Sequence, residues 1–131
     1  MDALHHSWLS ARDFGGKPED YLPINRYLDS TKLFYPNSMH RMFLHNSFGM
    51  KVCEEVFGNA ITNSEGVEIP VREIARQHII QDCGMVPTLK EWVLAVAEKN
   101  VHKFNNPSKE DLEWIKKQQE LRKNSLTLLK K

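Results

Sequence analysis

Cysteine is scarce in this chain: Cys53 and Cys83 are the only two in 131 residues. They form no C-x-x-C pair and no disulfide framework, which excludes a disulfide-stapled scaffold and a thiolate zinc knuckle. Long apolar runs are missing as well. None approaches the ~18 residues of a membrane-spanning helix. The opening MDALHHSWLSARDFGG sets polar residues where a secretory leader needs an unbroken apolar stretch. A cytoplasmic location without membrane contact is the expectation from these absences. Net charge is nearly absent too, at +1 from 18 basic and 17 acidic residues, which argues against a strongly basic nucleic-acid binder. Glycine and proline are few, six each, so the chain is no low-complexity linker. With 40% hydrophobic and 27% charged residues, residues 1–131 read as one globular domain able to bury its own core.

The charge is unevenly placed. From Lys116 onward, KKQQELRKNSLTLLKK carries six basic residues against Glu120. A solvated helix face explains this run, and so does a surface that associates with an acidic partner, with nucleic acid a weaker third reading.

Hydrophobic spacing and turn chemistry predict a mainly α fold of five to six helices with one short β-hairpin. A first helix is expected over 3–13, and FGGKPEDYLP reads as a loop through Gly15, Gly16 and Pro18. INRYLDSTKLF reads as a second short helix. A long helix is expected over 38–57, capped by Asn37 or Ser38 and ended by Gly58-Asn59. The turn cluster Asn63-Ser64-Glu65-Gly66 lies between Ile61-Thr62 and Val67-Glu68-Ile69, a hairpin pattern. Pro70 suits the start of a helix over 71–82 that Gly84 ends. Thr88 to Glu91 is a capping box for a helix to about Lys99, and Ser108 to Asp111 opens another. Residues 3–96 form the core of this reading and 107–131 a C-terminal helical extension. Trp8, Tyr27, Phe43, Phe48 and Trp92 are expected to pack in the core.

One stretch breaks the amphipathic rule. In VREIARQHIIQD, Val71, Ile74, Ala75 and Ile79 share an arc of about 140° on a helical wheel, and His78 and Asp82 fall near its middle. The expected long helix repeats the pattern: His45 and Asn46 lie inside its apolar face, Arg41 on the border and His40 on the polar side. His5 and His6 add two imidazoles near the N-terminus. Converging imidazoles and carboxylates suit Zn, Mn or Fe with an open water position. The candidate metal set is His45, His78 and Asp82, completed by His40, His5 or His6. Lys32, Arg41 and Arg72 are the candidate anion-binding groups. Two other readings stay open. His78–Asp82 is an orienting pair for general-base work, for which neither Ser47 nor Cys53 offers a nucleophile motif, or the cluster is a buried network that only fixes helix packing.

Four segments carry a family resemblance: HHSWLSARDFGGKPEDYLP, LDSTK, HRMFLHNSFG and IPVREIARQHIIQDCGMVPTLKEW. Together they resemble a small family of uncharacterised phage and bacterial proteins built on a domain of unknown function, over roughly residues 3–96. The resemblance marks His5, His6, Asp29, Lys32, His40, Arg41, His45, Arg72, His78 and Asp82 as shared polar positions. Asn25 and Asn46 stand where the family pattern has His. It implies a shared polar site but brings no reaction. The expected function is therefore a His/Asp-lined pocket binding a divalent metal for hydrolysis of a phosphate-containing small molecule or nucleotide. The competing expectation is a non-catalytic accessory protein that binds a protein partner.

Overall fold

Helix α1 (Ala3–Phe14) starts at Asp2, whose carboxylate accepts the His5 N–H at 2.8 Å, and ends at Gly15. In this computed structural model, which describes residues 1–35, 37–97 and 108–129, the chain then turns directly into α2 (Pro18–Asp29). Pro18 is a helix starter here rather than a loop marker, because a first-turn residue has no intrahelical use for its N–H. Asp20 accepts the Lys17 N–H at 2.8 Å and completes the cap. The second helix therefore begins well before the segment INRYLDSTKLF. That segment's tail, Ser30–Leu33, is a 3-10 turn.

The long helix expected over 38–57 is broken. A 3-10 turn (Ser38–His40) leads into the single turn α3 (Arg41–Leu44), and α4 covers Ser47–Phe57. Between them His45 takes φ −84°, ψ 62°, and Asn46 is extended. Asn46 then caps α4 by accepting the Gly49 N–H at 2.7 Å. Apolar residues continue through this break, so their periodicity hides it, whereas the Asn cap is the local signal that makes it. Gly49 is required as well. A Cβ there would sit 1.7 Å from the Leu44 carbonyl oxygen. Backbone groups near the break find partners elsewhere: Trp92 Nε1 donates to the His45 carbonyl at 2.8 Å and the Ser47 N–H to the Pro87 carbonyl at 2.9 Å.

The hairpin forms where the turn cluster placed it. Strands β1 (Ala60–Thr62) and β2 (Glu68–Pro70) pair antiparallel with Ile61 opposite Ile69. Asn63 Oδ1 accepts the N–H groups of Glu65 and Val67 and so shapes the turn. Helix α5 (Val71–Cys83) follows at once and ends on Gly84 in the left-handed region. Helix α6 (Leu89–Val96) opens with the Thr88/Glu91 capping box. Its expected continuation to Lys99 lies outside the described residues. The chain divides into two compact units, Met1–Ala97 and Glu98–Lys131. The second contains α7 (Lys109–Leu129), whose start is capped by Ser108 Oγ accepting the Asp111 N–H at 3.1 Å. No helix among the described residues is long and apolar enough to cross a membrane.

The first unit is cored by Tyr21, Ile24 and Leu28 of α2, Met50 and Cys53 of α4, Ile69, and Val71, Ile74, Ala75 and Ile79 of α5. Trp8, Phe43 and Phe48 do not join them; they are 63%, 39% and 52% exposed. Tyr27 is half-buried, edge-on to Phe57, and Trp92 is half-buried. Ten apolar residues are buried among the described ones, and ten polar or charged residues are buried with them. Helix α1 buries only His6, Ser7 and Ser10. Since an unpaired polar group in an interior costs roughly 2–7 kcal/mol, this half of the interior holds only if its polar atoms find partners.

Gly49→Ala should destabilise the first unit by about 3 kcal/mol or more, as an overpacked site with no flexible neighbour to yield. Denaturant unfolding of the variant beside Ser47→Ala, which leaves the cap intact, measures this. Equal midpoints for the two would show that the close approach at Leu44 is not what holds the break.

Candidate metal centre

Three pieces of backbone aim polar side chains at one point. Helix α2 presents Asn25 and Asp29, and α5 presents His78 and Asp82, each pair four residues apart and so on one face. The break between α3 and α4 turns His45 inward. All three histidines at this point, His6, His45 and His78, are fully buried.

His78 is held from two sides. Its Nδ1 lies 2.9 Å from Asn25 Oδ1. The orientation of that amide is fixed on its far side: Asn25 Nδ2 donates to Ser7 Oγ at 3.0 Å, and Ser7 Oγ gives its own proton to the Ala3 carbonyl at 2.7 Å. Asn25 Oδ1 can only accept, so His78 Nδ1 carries a proton. His78 Nε2 then faces Asp29 Oδ1 at 3.1 Å and Asp82 Oδ2 at 3.3 Å. Against two carboxylate oxygens, that nitrogen requires either a second proton or a cation in front of it.

His45 Nε2 approaches the same oxygens, 2.9 Å from Asp82 Oδ2 and 3.7 Å from Asp29 Oδ1. One ligand atom from each of Asp29, His45, His78 and Asp82 lies within 4.8 Å of the other three. Ligands at 2.0–2.1 Å from a tetrahedral zinc stand about 3.3 Å apart, close to the four imidazole–carboxylate distances just given. His6 sits behind Asp82, its Nε2 3.2 Å from Oδ1 and its Nδ1 2.6 Å from Gln81 Oε1. Its ring stacks on His78 at 3.6 Å between centroids. Among the described residues, Arg41 Nε and His45 Nδ1 are buried without a hydrogen-bond partner, while His6 Nε2 and Asp29 Oδ2 have only an ion-pair contact, to Asp82 and Lys32. None of these is an atom that Asp29, His45, His78 and Asp82 turn toward one another, so the fit to a cation rests on the donor types and spacing of Asp29 Oδ1, His45 Nε2, His78 Nε2 and Asp82 Oδ2.

The electrostatics keep both carboxylates ionised. Burial opposes the charge on Asp82, but hydrogen bonds from His45, His6 and His78 overcome it and hold the carboxyl far below its usual range. Asp29 is likewise lowered, because His78 and Lys32 outweigh its burial. Burial keeps the His45 imidazole below 6.5 despite Asp82. His78 is buried too, yet Asp29 and Asp82 raise it. Asp82 also sits in the last turn of α5, where the helix dipole disfavours a carboxylate. It therefore needs the positive groups around it.

The residues singled out in the sequence divide accordingly. His6, His45, His78 and Asp82 meet. His40 is not on a polar surface: it is buried, with its ring centroid 5.4 Å from that of His45. Thr31 Oγ1 donates to the His40 carbonyl at 3.0 Å and accepts from His40 Nδ1 at 3.1 Å. The helix break turned it inward, since a continuous helix would have left it outside. His5 is exposed, and its backbone N–H caps on Asp2. Lys32 Nζ lies 3.7 Å from Asp29 Oδ2. Arg41 Nη1 donates to the Asp82 carbonyl at 3.3 Å, and Nη2 is 3.8 Å from Asp82 Oδ1. Arg72 pairs with Glu54 at 3.0 Å, ten residues before Asp82 on α5 and so about 15 Å away along its axis. Asn25 and Asp29 were not singled out as ligands by periodicity. Their signal was available, because Tyr21, Asn25 and Asp29 recur at four-residue spacing beside Ile24 and Leu28 once α2 starts at Pro18.

A family model described as a domain of unknown function (DUF6915) matches residues 1–102, and the chain belongs to that family. Every residue of the centre lies inside the match, and α7 lies beyond it. No curated protein and no solved structure matches the chain.

Burial, then the neighbouring His45, pushes the His40 imidazole down to about 4. An unfolded histidine titrates near 6.5, so below that pH the unfolded chain binds a proton that folded His40 refuses. His40 therefore lowers stability as pH falls from about 6.5 to about 4, by up to ~1.4 kcal/mol per pH unit. Chelator-treated His40→Asn keeps a donor toward Thr31 without a titrating ring. Its denaturation midpoint should fall less steeply over pH 6.5 to 4.5 than that of the parent chain, and parallel slopes would refute the assignment.

Proposed function

We propose that the first unit is a divalent transition-metal centre ligated by Asp29, His45, His78 and Asp82, and that the bound ion serves hydrolysis of a small anionic substrate. The observation that carries this reading is the hold on His78. Asn25 takes the Nδ1 proton and aims Nε2 at two ionised carboxylates, an arrangement completed by a cation. Two imidazoles with two carboxylates suit Zn, Mn or Fe better than Ca or Mg, which take oxygen ligands. When bound, such an ion lowers the pKa of a coordinated water and makes it a nucleophile at neutral pH.

The chain's own residues support that chemistry. Asn25 fixes the tautomer of His78, the outer-shell role that raises ligand basicity. His6 Nε2 faces the Asp82 oxygen that His45 and His78 leave free, and helps hold that carboxylate in place. Arg41 and Lys32 place positive charge beside Asp82 and Asp29. Because His78 Nε2 binds either a proton or the ion, metal affinity falls as pH drops, and uptake of the ion releases a proton.

Elemental analysis of untagged protein should find close to one equivalent of Zn, Mn or Fe per chain. Asp29→Asn, His45→Ala, His78→Ala and Asp82→Asn should each lose it, while His5→Ala and Arg72→Ala retain it. Chelation should lower the melting temperature and the ion restore it; occupancy at a hundredfold excess over Kd is worth ~2.7 kcal/mol. A chain that takes up no ion and melts identically with and without added metal would mean that the cluster only organises packing. Turnover of p-nitrophenyl phosphate by the loaded chain, lost in Asp82→Asn, tests the hydrolytic step separately.

A further inference from the structure

A cleft of about 430 Å³ opens beside Asp82, with Met39, Arg41, Met85, Pro87 and Trp92 among its lining residues. That volume lies in the ~300–1,000 Å³ range of small-molecule pockets. Asp82 is the one residue shared by the cleft and the four-ligand cluster, so the cleft adjoins the centre at this residue, whose side chain is 3% exposed. We infer that this cleft is the ligand pocket of the centre, and that it takes a small amphiphile: one oxyanion head, a phosphate monoester or a carboxylate, on an apolar body. The inference rests on the metal-centre reading for the role of the head group, and on the chain's own side chains for selectivity.

The head group is specified by Arg41. Its guanidinium spans the cleft and the Asp82 end of α5, with Nη1 on the Asp82 carbonyl and Nη2 3.8 Å from the carboxylate. The Arg41 side chain is 28% exposed. Arginine is always charged and offers five donors, four of them on the two terminal nitrogens, so those nitrogens keep N–H groups beyond the ones turned to Asp82. Among the described residues Arg41 is the only cation that lines the cleft, where Asp82 and Glu91 are the acidic ones. Arg72 is taken by Glu54 and Lys32 stands by Asp29. A single cation matches a head of one or two negative charges. A nucleoside triphosphate would bring several more with nothing in the lining to meet them.

The body is specified by the other wall. Trp92 spends its one polar group, Nε1, on the His45 carbonyl, which fixes the ring and leaves its faces for apolar contact. The two methionines add unbranched, polarisable side chains that adapt to the shape packed against them. Glu91, also in the lining, has an oxygen engaged by the N–H and hydroxyl of Thr88 in the helix cap. That holds its charge at the start of α6.

Calorimetric titration with phenyl phosphate, inorganic phosphate, phenylacetate and ATP tests this, on chelated protein and on protein reloaded with the ion. Phenyl phosphate should bind at least tenfold more tightly than inorganic phosphate or ATP in both forms, because the apolar wall is present in both. Phenylacetate decides whether the head must be a phosphate. Met85→Ser, at a largely exposed position that tolerates change, should erode the preference for phenyl phosphate over inorganic phosphate several-fold. Arg41→Gln should weaken both anions at least tenfold and leave their ratio unchanged. Equal affinities for phenyl phosphate and inorganic phosphate, or tighter binding of ATP, would overturn the inference even if the chain binds metal. Failure of metal uptake with the preference intact would instead overturn the metal reading and leave the pocket standing.

Discussion

The fold depends on one imidazole held between an amide and two carboxylates. His78 ties α5 to α2 at two levels, Nδ1 to Asn25 and Nε2 to Asp29, and Asp82 one turn further on ties α5 to His45 and His6. A slide of α5 along α2 would part His78 from both of its buried α2 partners. Apolar contacts alone would not fix this register so sharply, because Ile24, Leu28, Ile74 and Ile79 would find comparable neighbours after a small shift. The polar rungs therefore select one packing from several that the apolar face allows. Helix α1 is drawn in by the same device: Ser7 orients Asn25, and His6 stacks on His78 and reaches Asp82.

The break after α3 serves the same centre. A continuous helix from 38 to 57 could not turn both His40 and His45 inward, and it would leave Arg41 on the border of its apolar face. Interrupting it at Asn46 lets His45 meet Asp29 and Asp82 while Arg41 reaches the end of α5. The interruption is built from local chemistry, an Asn cap and a glycine that admits the Leu44 carbonyl. The α6 indole then takes the carbonyl that the break exposes. Positioning of the site and disruption of the helix are thus one event in the sequence, spelled His45-Asn46 and Gly49.

How much of this can be read without coordinates follows from how local each signal is. The hairpin, the Gly84 stop and the Thr88 cap are decided by neighbouring residues, and all form as their sequences indicate. The inward direction of His78 and Asp82 is equally legible, because α5 is a regular helix with an unambiguous apolar arc. Errors arise where two signals compete. Pro18 next to two glycines looks like a loop, and misplacing the start of α2 conceals the Tyr21–Asn25–Asp29 face. Apolar spacing overrides the Asn46 cap, which puts His40 on the wrong side. Trp8, Phe43 and Phe48 have the character of core residues, yet their exposure is settled by long-range packing. What no pattern could supply is the tautomer of His78, which needs the Ser7 hydroxyl beside Asn25.

The composition of this interior bears on whether the cluster is merely architectural. A buried ion network is a poor stabiliser: removing charges from water costs several kcal/mol per ion, and well-packed apolar replacements are often neutral or better. Here two carboxylates and three imidazoles share one interior point, and among the described residues His45 Nδ1 and Arg41 Nε beside it have no hydrogen-bond partner. Register could be fixed at lower cost by the Asn25–His78 rung alone, since a single buried polar pair suffices for that in helical assemblies. Adding Asp29, Asp82, His45 and His6 contributes more than register. It contributes negative charge, lone pairs at ligand spacing, and an edge at Asp82 that opens on a cleft. Those properties are what the proposed cation site would use, and packing stability does not call for them.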